Sequence, residues 1–119
     1  NNYKSFWCAE KVQSSKLEFE LKYGRKPSIA LMGLAFKPNI DDLRESPAKY
    51  IAQKIMQNDS DGEYFIVEPN ISSHKVFKLT DYNKAIEKAD IIVFLVAHDE
   101  FKNLKLKEKI VLDFCGIIK

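Results

Sequence analysis

The chain has 119 residues, of which 45% are hydrophobic, which is enough for one compact domain and too few for two. Nineteen Lys and Arg residues against seventeen Asp and Glu residues give a formal net charge of +2 without a basic stripe, so nucleic acid is not the expected partner. The longest apolar run, residues 91–97, is about a third of a membrane span, and the first residues lack the apolar core of a signal peptide. We therefore expect neither membrane insertion nor secretion.

Along the chain, apolar residues predict alternating helices and strands. Residues 6–23 mix apolar and charged side chains without Gly or Pro, which predicts one long helix ending at Gly24. Short apolar runs predict strands at residues 28–32, 64–67, 91–96 and 110–113. Helices are predicted at residues 47–58 with Ser46 as the N-cap, at 80–89 with Thr80 as the N-cap, and near 99–103, and residues 76–79 are compatible with a small edge strand.

Strands separated by helices of this length are typical of an α/β fold. We predict a Rossmann-like parallel sheet with helices on both faces, preceded by the long N-terminal helix. Ligands of such sheets bind outside the carboxyl ends of the strands. The longest segment leaving a strand end is GLAFKPNIDDLRESP at residues 33–47, where Gly33 permits a sharp turn and Pro38 stiffens the backbone.

Two neighbouring residues of this segment, Phe36 and Lys37, pair an aromatic face with an ammonium group. This combination suits a base or sugar that lies beside a phosphate. The alternative is that Phe36 belongs to the core and Lys37 is solvated, and the spacing alone does not decide between them.

Arg44 is one of only two arginines, the other being Arg25 in the predicted linker. A guanidinium in a loop at a strand end suggests bidentate binding of a phosphate or carboxylate. The competing interpretation is an ion pair with a neighbouring acid, Asp41, Asp42 or Glu45.

Other candidate residues favour simpler roles. His98, in the sequence HDE, has no second histidine at metal-binding spacing and is interpreted as part of a polar strand exit, so no metal site is predicted. Cys8 and Cys115 form no CxxC pair, which favours a reducing compartment, and they are interpreted as small hydrophobic residues. The first strand is followed by GLAFKP instead of GxGxxG, so the usual pyrophosphate turn of a dinucleotide fold is lacking.

Several motifs together resemble one family. These are GLAFKPNIDDLRESPA at residues 33–48, VEPN at 67–70, the block at 81–101 that contains ADIIVFLV, and VLDFCG at 111–116. They resemble the C-terminal domain of the UDP-glucose/GDP-mannose dehydrogenases, and KPNIDDLRESP is most similar to the branch that oxidises UDP-N-acetyl-D-mannosamine. The resemblance implies that residues 28–119 are the UDP-sugar-binding domain and residues 1–27 the end of a connecting helix and its linker.

The resemblance also implies site residues. Phe36 and Lys37 match positions that contact the nucleotide sugar, and Arg44 matches an arginine that reaches NAD across a domain interface. Many glucose enzymes place an arginine after the last strand in the pattern D-x-R, whereas this chain has Asp113-Phe114-Cys115. That substrate contact is therefore absent or is supplied by another group.

For the whole enzyme, the resemblance implies oxidation of the sugar C6 alcohol to a uronate with two NAD, for bacterial surface polysaccharide. An N-terminal NAD-binding domain and a central helical region with the catalytic cysteine and lysine would complete a cytoplasmic homodimer or larger oligomer.

Because the first residue is Asn1 and no catalytic motif is present, we expect this chain to be part of a longer protein and to be inactive alone. The alternative is a stand-alone nucleotide-binding module without catalysis; a receiver domain is disfavoured because the strand exits lack its acidic residues.

Overall fold

A computed structural model describes residues 2–35, 46–58, 62–70, 78–106 and 108–117. Within these ranges the elements are, in chain order, α1 (Asn2–Tyr23), β1 (Ser28–Met32), α2 (Pro47–Asn58), β2 (Glu63–Val67), α3 (Tyr82–Lys88), β3 (Ile91–Phe94), a 3-10 turn (Asp99–Phe101) and β4 (Ile110–Asp113). The predicted order of helices and strands is confirmed.

The four strands form one parallel sheet in the order β2-β1-β3-β4. In the central strand, Ile29 lies opposite Tyr64 on one side and Ile91 on the other. The chain moves outward from β1 to β2, then crosses back over β1 to form β3. This reversal places a topological switch point between the carboxyl ends of β1 and β3, where open α/β sheets bind ligands.

Alternate side chains of each strand enter two separate apolar clusters, one on each face of the sheet. Ile29 and Leu31 pack on the face covered by α1 and α2, together with Ile55 of α2. Ala30 and Met32 pack on the opposite face, which α3 and the 3-10 turn cover. The prediction of helices on both faces is therefore confirmed.

The predicted N-cap of α3 is wrong by one residue. Thr80 donates its backbone N–H to the Ile66 carbonyl over 2.7 Å, and Leu79 forms an isolated parallel bridge with Ile66. Thr80 is therefore still extended beside β2, and the carboxylate of Asp81 caps the helix by accepting the N–H groups of the first turn. Of the predicted edge strand at 76–79, residues 76 and 77 lie outside the described residues.

The strand β3 ends two residues earlier than predicted. The Leu95 N–H makes the last ladder bond with the Met32 carbonyl at 2.9 Å, and the Val96 N–H turns toward the same carbonyl at 3.3 Å, so the ladder ends there. Because both residues are apolar, the sequence predicts that the strand includes them. In the structure they belong to the segment that leaves β3.

The helix α1 packs along the first face of the sheet. Cys8 and Val12 are buried, and the Trp7 ring makes an edge contact with Phe114 after β4, with ring centroids 5.7 Å apart. Lys16 is 2% exposed and donates to the Tyr64 hydroxyl over 3.3 Å. The other side of α1 carries exposed apolar side chains: Phe6, Leu17 and Leu21. Among the described helices, none has both the length and the apolarity that a membrane span requires.

Candidate functional site

A cleft of about 220 Å³ lies at the carboxyl ends of β1, β3 and β4. Its lining is mostly apolar and consists of Ala35, Pro47, Ala48, Leu95, Val96, Ala97 and Cys115. The cleft coincides with the switch point of the sheet, the expected ligand position in this architecture. Its lining can contact a neutral, flat or apolar part of a ligand.

Gly33 allows the two central strand exits to approach each other beside this cleft. Its φ is +101°, and a Cβ added there would lie 2.7 Å from the Cβ of Val96. The Gly33 N–H donates to the Val67 carbonyl over 2.8 Å, so Gly33 and Val67 lie at the same edge of the sheet. A side chain at this position would force the exits apart.

The carboxylate of Glu68, directly after β2, organises the three neighbouring strand exits. One oxygen, Oε1, accepts the N–H of Leu34 at 2.8 Å and of Ala35 at 2.9 Å, and also the ring N–H of His98 at 3.0 Å. The other oxygen accepts the N–H of Asn70 at 3.1 Å. The side chains of Glu68 and His98 are both 0% exposed. A single buried carboxylate thus joins the ends of β2, β1 and β3.

The hydrogen bonds of His98 fix its tautomer. The amide nitrogen Nδ2 of Asn70 lies 3.2 Å from Nδ1 of His98, and an amide nitrogen can only donate. Nδ1 is therefore the acceptor and Nε2 carries the proton given to Glu68. Burial alone would raise the pKa of Glu68, but the hydrogen bonds from His98, Leu34 and Asn70 outweigh it and hold that pKa below its ordinary value.

Ser46 attaches the start of α2 to the same strand exit. Its hydroxyl donates to the Leu34 carbonyl over 2.6 Å and accepts the Lys49 N–H at 3.3 Å, which confirms Ser46 as the N-cap. The N–H of Leu34 is held by Glu68 and its carbonyl by Ser46. The residues on either side of the segment 36–45 are therefore fixed at one point beside the cleft.

The predicted binding residues Phe36, Lys37 and Arg44 lie outside the described residues. Asp41 and Asp42, which offered an alternative partner for Arg44, lie outside them as well. The roles assigned to all of these residues remain predictions.

The loop after β4 replaces the D-x-R pattern with a compact turn. Asp113 Oδ1 accepts the backbone N–H groups of Cys115, Gly116 and Ile117 at 3.1, 2.8 and 3.1 Å. Burial, together with the nearby Asp113 carboxylate, raises the pKa of the Cys115 thiol to about 12. Burial also raises the pKa of Cys8. Both thiols are therefore protonated at neutral pH, which agrees with their interpretation as small hydrophobic residues.

Two further contacts were not predicted. His98 was expected at a polar strand exit, but its complete burial and its pairing with Glu68 were missed. The available signal was a polar residue after each of the two strands that flank β1. Arg25, placed in a linker, makes the bidentate contact that was expected of an arginine, with Asp90, at 2.9 and 3.0 Å. Among the described residues, no group of three or more His, Cys, Asp or Glu could hold a metal ion.

A dinucleotide does not fit the described residues as a complete site. The pyrophosphate of NAD binds where a glycine turn leads directly from a strand into a helix N-terminus. Here β1 leads through Gly33 into the anchored backbone of Leu34 and Ala35, and α2 does not begin until Pro47. The described residues therefore do not form a pyrophosphate site of this type.

Comparison with known proteins identifies relatives that are dehydrogenases. Residues 30–119 match the family model described as the UDP binding domain of the UDP-glucose/GDP-mannose dehydrogenase family. The UDP-N-acetyl-D-mannosamine dehydrogenase of Escherichia coli K12 is 39% identical over 130 aligned positions, which cover 98% of this chain. The NDP-N-acetyl-D-galactosaminuronic acid dehydrogenase of Ralstonia nicotianae is 36% identical over 98% of this chain. This chain spans 30% and 28% of the lengths of these curated relatives.

Solved structures share the fold. A UDP-D-ManNAc dehydrogenase from Pyrococcus horikoshii aligns with a TM-score of 0.71 and 30% identity, over 93% of this chain and 27% of that one. A UDP-N-acetyl-mannosamine dehydrogenase from Staphylococcus aureus gives a TM-score of 0.74 at 24% identity over 100% of this chain and 29% of that one, which supports the fold alone. The resemblance found in the motifs is confirmed: the chain belongs to the UDP-glucose/GDP-mannose dehydrogenase family and matches its UDP binding domain.

Proposed function

We propose that this chain is the C-terminal UDP-sugar-binding domain of an NAD-dependent UDP-sugar 6-dehydrogenase that converts UDP-N-acetyl-D-mannosamine to the corresponding uronate for bacterial surface polysaccharide. The observation that carries the proposal is the 39% identity to a UDP-N-acetyl-D-mannosamine dehydrogenase across 98% of this chain. Because the chain spans 30% of that relative, the oxidation belongs to a longer enzyme whose other parts supply the NAD fold and the catalytic groups.

Within this domain, we assign the nucleotide sugar to the carboxyl-edge cleft. Ala35 and Pro47, which flank the segment 36–45, both line this cleft. Phe36 and Lys37 follow Ala35 directly, so their assignment to the nucleotide sugar agrees with the position of the cleft. Arg44, near the other end of the segment, is assigned to NAD bound by another part of the enzyme.

The thiols support the assignment of catalysis elsewhere. Cys8 is buried and Cys115 has a pKa raised to about 12, so neither provides the thiolate that a covalent intermediate needs. Both cysteines are free, which supports a reducing, cytoplasmic location. Residues 1–27 are assigned to the connecting helix and linker, and the exposed apolar side of α1 suits contact with the rest of a homodimeric or larger enzyme.

Ligand binding by this chain tests the proposal directly. Nuclear magnetic resonance titration should show UDP binding with a dissociation constant on the order of 1 mM, weaker than in an enclosed site because contacts from other domains are lacking. GDP should bind more weakly, and NAD with a UDP-sugar should give no NADH. Equal binding of UDP and GDP, or turnover by the pure chain, would contradict the proposal.

The longer enzyme tests the two ends of the segment 36–45. Lys37→Ala should raise the KM for the UDP-sugar by a factor that corresponds to about 1.5 to 3 kcal/mol and leave the KM for NAD nearly unchanged. Arg44→Lys keeps the charge but removes the planar fork, so it should raise the KM for NAD alone. Arg25→Lys, at the opposite edge of the sheet, is the matched control and should alter neither KM.

If Arg44 instead pairs with Asp41 or Asp42, the lysine variant will lower the melting temperature and leave the KM for NAD unchanged. Equal losses toward both substrates would refute the division of the segment into a sugar end and a cofactor end. A longer enzyme that binds UDP but never oxidises a UDP-sugar would favour the alternative of a binding module without catalysis.

A further inference from the structure

We propose that Glu68 and His98 are positioning residues that hold the two walls of the carboxyl-edge cleft at the separation that ligand binding requires. The inference rests on the assignment of the nucleotide sugar to this cleft. Neither side chain contacts the ligand or takes part in a chemical step, since both are 0% exposed.

One wall of the cleft begins at the exit of β1. Ala35 lines the cleft, and its backbone N–H is held by Glu68 at 2.9 Å, next to that of Leu34 at 2.8 Å. Two consecutive N–H groups on one oxygen fix the direction in which the chain leaves β1. A change in the position of Glu68 would therefore move Ala35, and with it the first residue of the segment that follows.

The other wall is the exit of β3. Leu95, Val96 and Ala97 line the cleft in the three positions before His98. The backbone N–H of His98 donates to the Val96 carbonyl over 3.0 Å, and its ring donates to Glu68 over 3.0 Å. The ring of His98 is thus the link between the β3 wall and the carboxylate that holds the β1 wall.

The cost of this arrangement argues for a geometric role. A carboxylate removed from water pays a desolvation penalty, and an apolar pair of similar volume often stabilises a fold equally well. The Oε1 atom of Glu68 accepts three donors at once, which a glutamine oxygen would do less strongly, and a glutamine would also place an amide donor against the N–H of Asn70. The buried charge therefore determines the relative position of three strand exits, in addition to any net stability that it provides.

The test compares UDP binding with stability in variants of this chain. His98→Leu removes the link to Glu68, whereas His98→Gln retains a side-chain donor that can reach it. The matched control is Asp90→Asn. It replaces another carboxylate that accepts a backbone N–H, at the opposite edge of the sheet, by a neutral amide. The dissociation constant for UDP is measured by titration at a temperature at which circular dichroism shows every variant to be folded.

A binding site whose walls are about 1 Å too loose loses its function, so His98→Leu should raise the dissociation constant about tenfold or more. His98→Gln should recover most of this loss, and Asp90→Asn should bind UDP like the parent chain even where its melting temperature is lower. In hydrogen exchange, the amides of Leu34 and Ala35 should exchange faster in His98→Leu and remain slow in Asp90→Asn.

Unchanged UDP affinity in folded His98→Leu, with faster exchange at Leu34 and Ala35, would overturn the positioning role and leave the proposed function intact. Absence of UDP binding by the parent chain would overturn both. If His98→Leu does not fold, Glu68→Asp replaces it, because it keeps the charge and withdraws the carboxylate by one methylene. Its expected result is the same weakening, and an unchanged dissociation constant would overturn the inference.

Discussion

Glu68 accepts three backbone N–H groups and the His98 ring, and Asp90 accepts one backbone N–H and the Arg25 guanidinium, at opposite ends of the sheet and in different surroundings. At the carboxyl end, Glu68 and His98 are completely buried. At the amino end, Asp90 accepts the Ser28 N–H at 2.9 Å and the fork of Arg25, whose side chain is 57% exposed. Water therefore screens the Arg25–Asp90 pair at the amino end, whereas the Glu68–His98 pair at the carboxyl end is removed from water.

The difference reflects what each end must do. At the amino end, Asp90 joins the linker after α1 to the starts of β1 and β3, and Lys109 donates to the Ala89 carbonyl at 2.6 Å, beside the C-terminus of α3. Such contacts need only join segments, so exposed pairs of small net strength suffice. At the carboxyl end the strand exits form the cleft, where a fixed geometry is worth the cost of a buried charge.

The largest effect that separates the two ends is expected from Glu68→Ala. Removal of the carboxylate leaves the N–H groups of Leu34 and Ala35 and the ring of His98 without their common acceptor. Because each buried donor that loses its acceptor costs about 1 to 3 kcal/mol, the loss of the common acceptor of three donors should lower the free energy of unfolding by about 3 kcal/mol or more. Urea denaturation of the purified chain measures this loss.

Asp90→Ala is the control for Glu68→Ala and should give a clearly smaller loss, because water can reach the groups that it leaves behind. Equal losses for the two variants would show that the buried and exposed carboxylates are equivalent, and the contrast between the ends would not hold.

The next largest effect is expected from Gly33→Ala, which tests how closely the strand exits must approach. The new Cβ would lie 2.7 Å from the Cβ of Val96, at a φ of +101°. Overpacking and backbone strain together should lower the free energy of unfolding by about 3 kcal/mol. Chemical denaturation would measure the loss of free energy of unfolding. Nuclear magnetic resonance spectra of the methyl groups would show any displacement of Val96.

Gly24→Ala is the matched control for this substitution. Gly24 also has positive φ, +70°, but apart from its chain neighbours no residue of the described part of the chain comes within 4 Å of an added Cβ. It should cost only the strain of the left-handed conformation, about 1 kcal/mol. If both variants lost the same amount, the contact with Val96 would contribute nothing.

The fold was predictable because its signals are local. An apolar run such as residues 28–32, bounded by Pro27 and Gly33, predicts a strand whatever segments it later packs against. The cap of α3 was misplaced because the pairing of Thr80 with Ile66 involves a partner distant in sequence.

The candidate site was less predictable because its contacts are not local. Glu68 and His98 are 30 positions apart and Arg25 and Asp90 are 65 apart, so no spacing rule joins either pair. The sequence located the exits of β1, β2 and β4 and placed that of β3 two residues too late, but it could not show which of their polar residues would be buried. The roles of Phe36, Lys37 and Arg44 rest on resemblance and remain predictions.

A smaller effect is expected from acid. The pKa of Glu68 is lowered in the folded state relative to its ordinary value of 4.5, so the stability that it contributes is present above that value and is lost as the pH falls toward the folded-state pKa. The free energy of unfolding should therefore decline as the pH falls through 4.5 toward the folded-state pKa, and this decline should be shallower in Glu68→Gln. Urea midpoints at intermediate pH values measure the slopes, and identical slopes would show that Glu68 titrates alike in the folded and unfolded chain.

The smallest effect is expected at the amino end, from Arg25→Met. Arg25 lies over the Phe19 ring at 4.8 Å, and methionine keeps an apolar side chain there while it removes the charge that lowers the pKa of Asp90. Because the pair is exposed and the Debye length falls to about 3 Å in 1 M salt, the melting-temperature difference between the parent and this variant should shrink as sodium chloride is raised. The difference between the parent and His98→Gln should persist under the same conditions, since no ion can enter between two side chains that are 0% exposed. A difference for Arg25→Met that is insensitive to salt would mean that the Arg25–Asp90 pair behaves as a desolvated one, and the two ends of the sheet would then be stabilised in the same way.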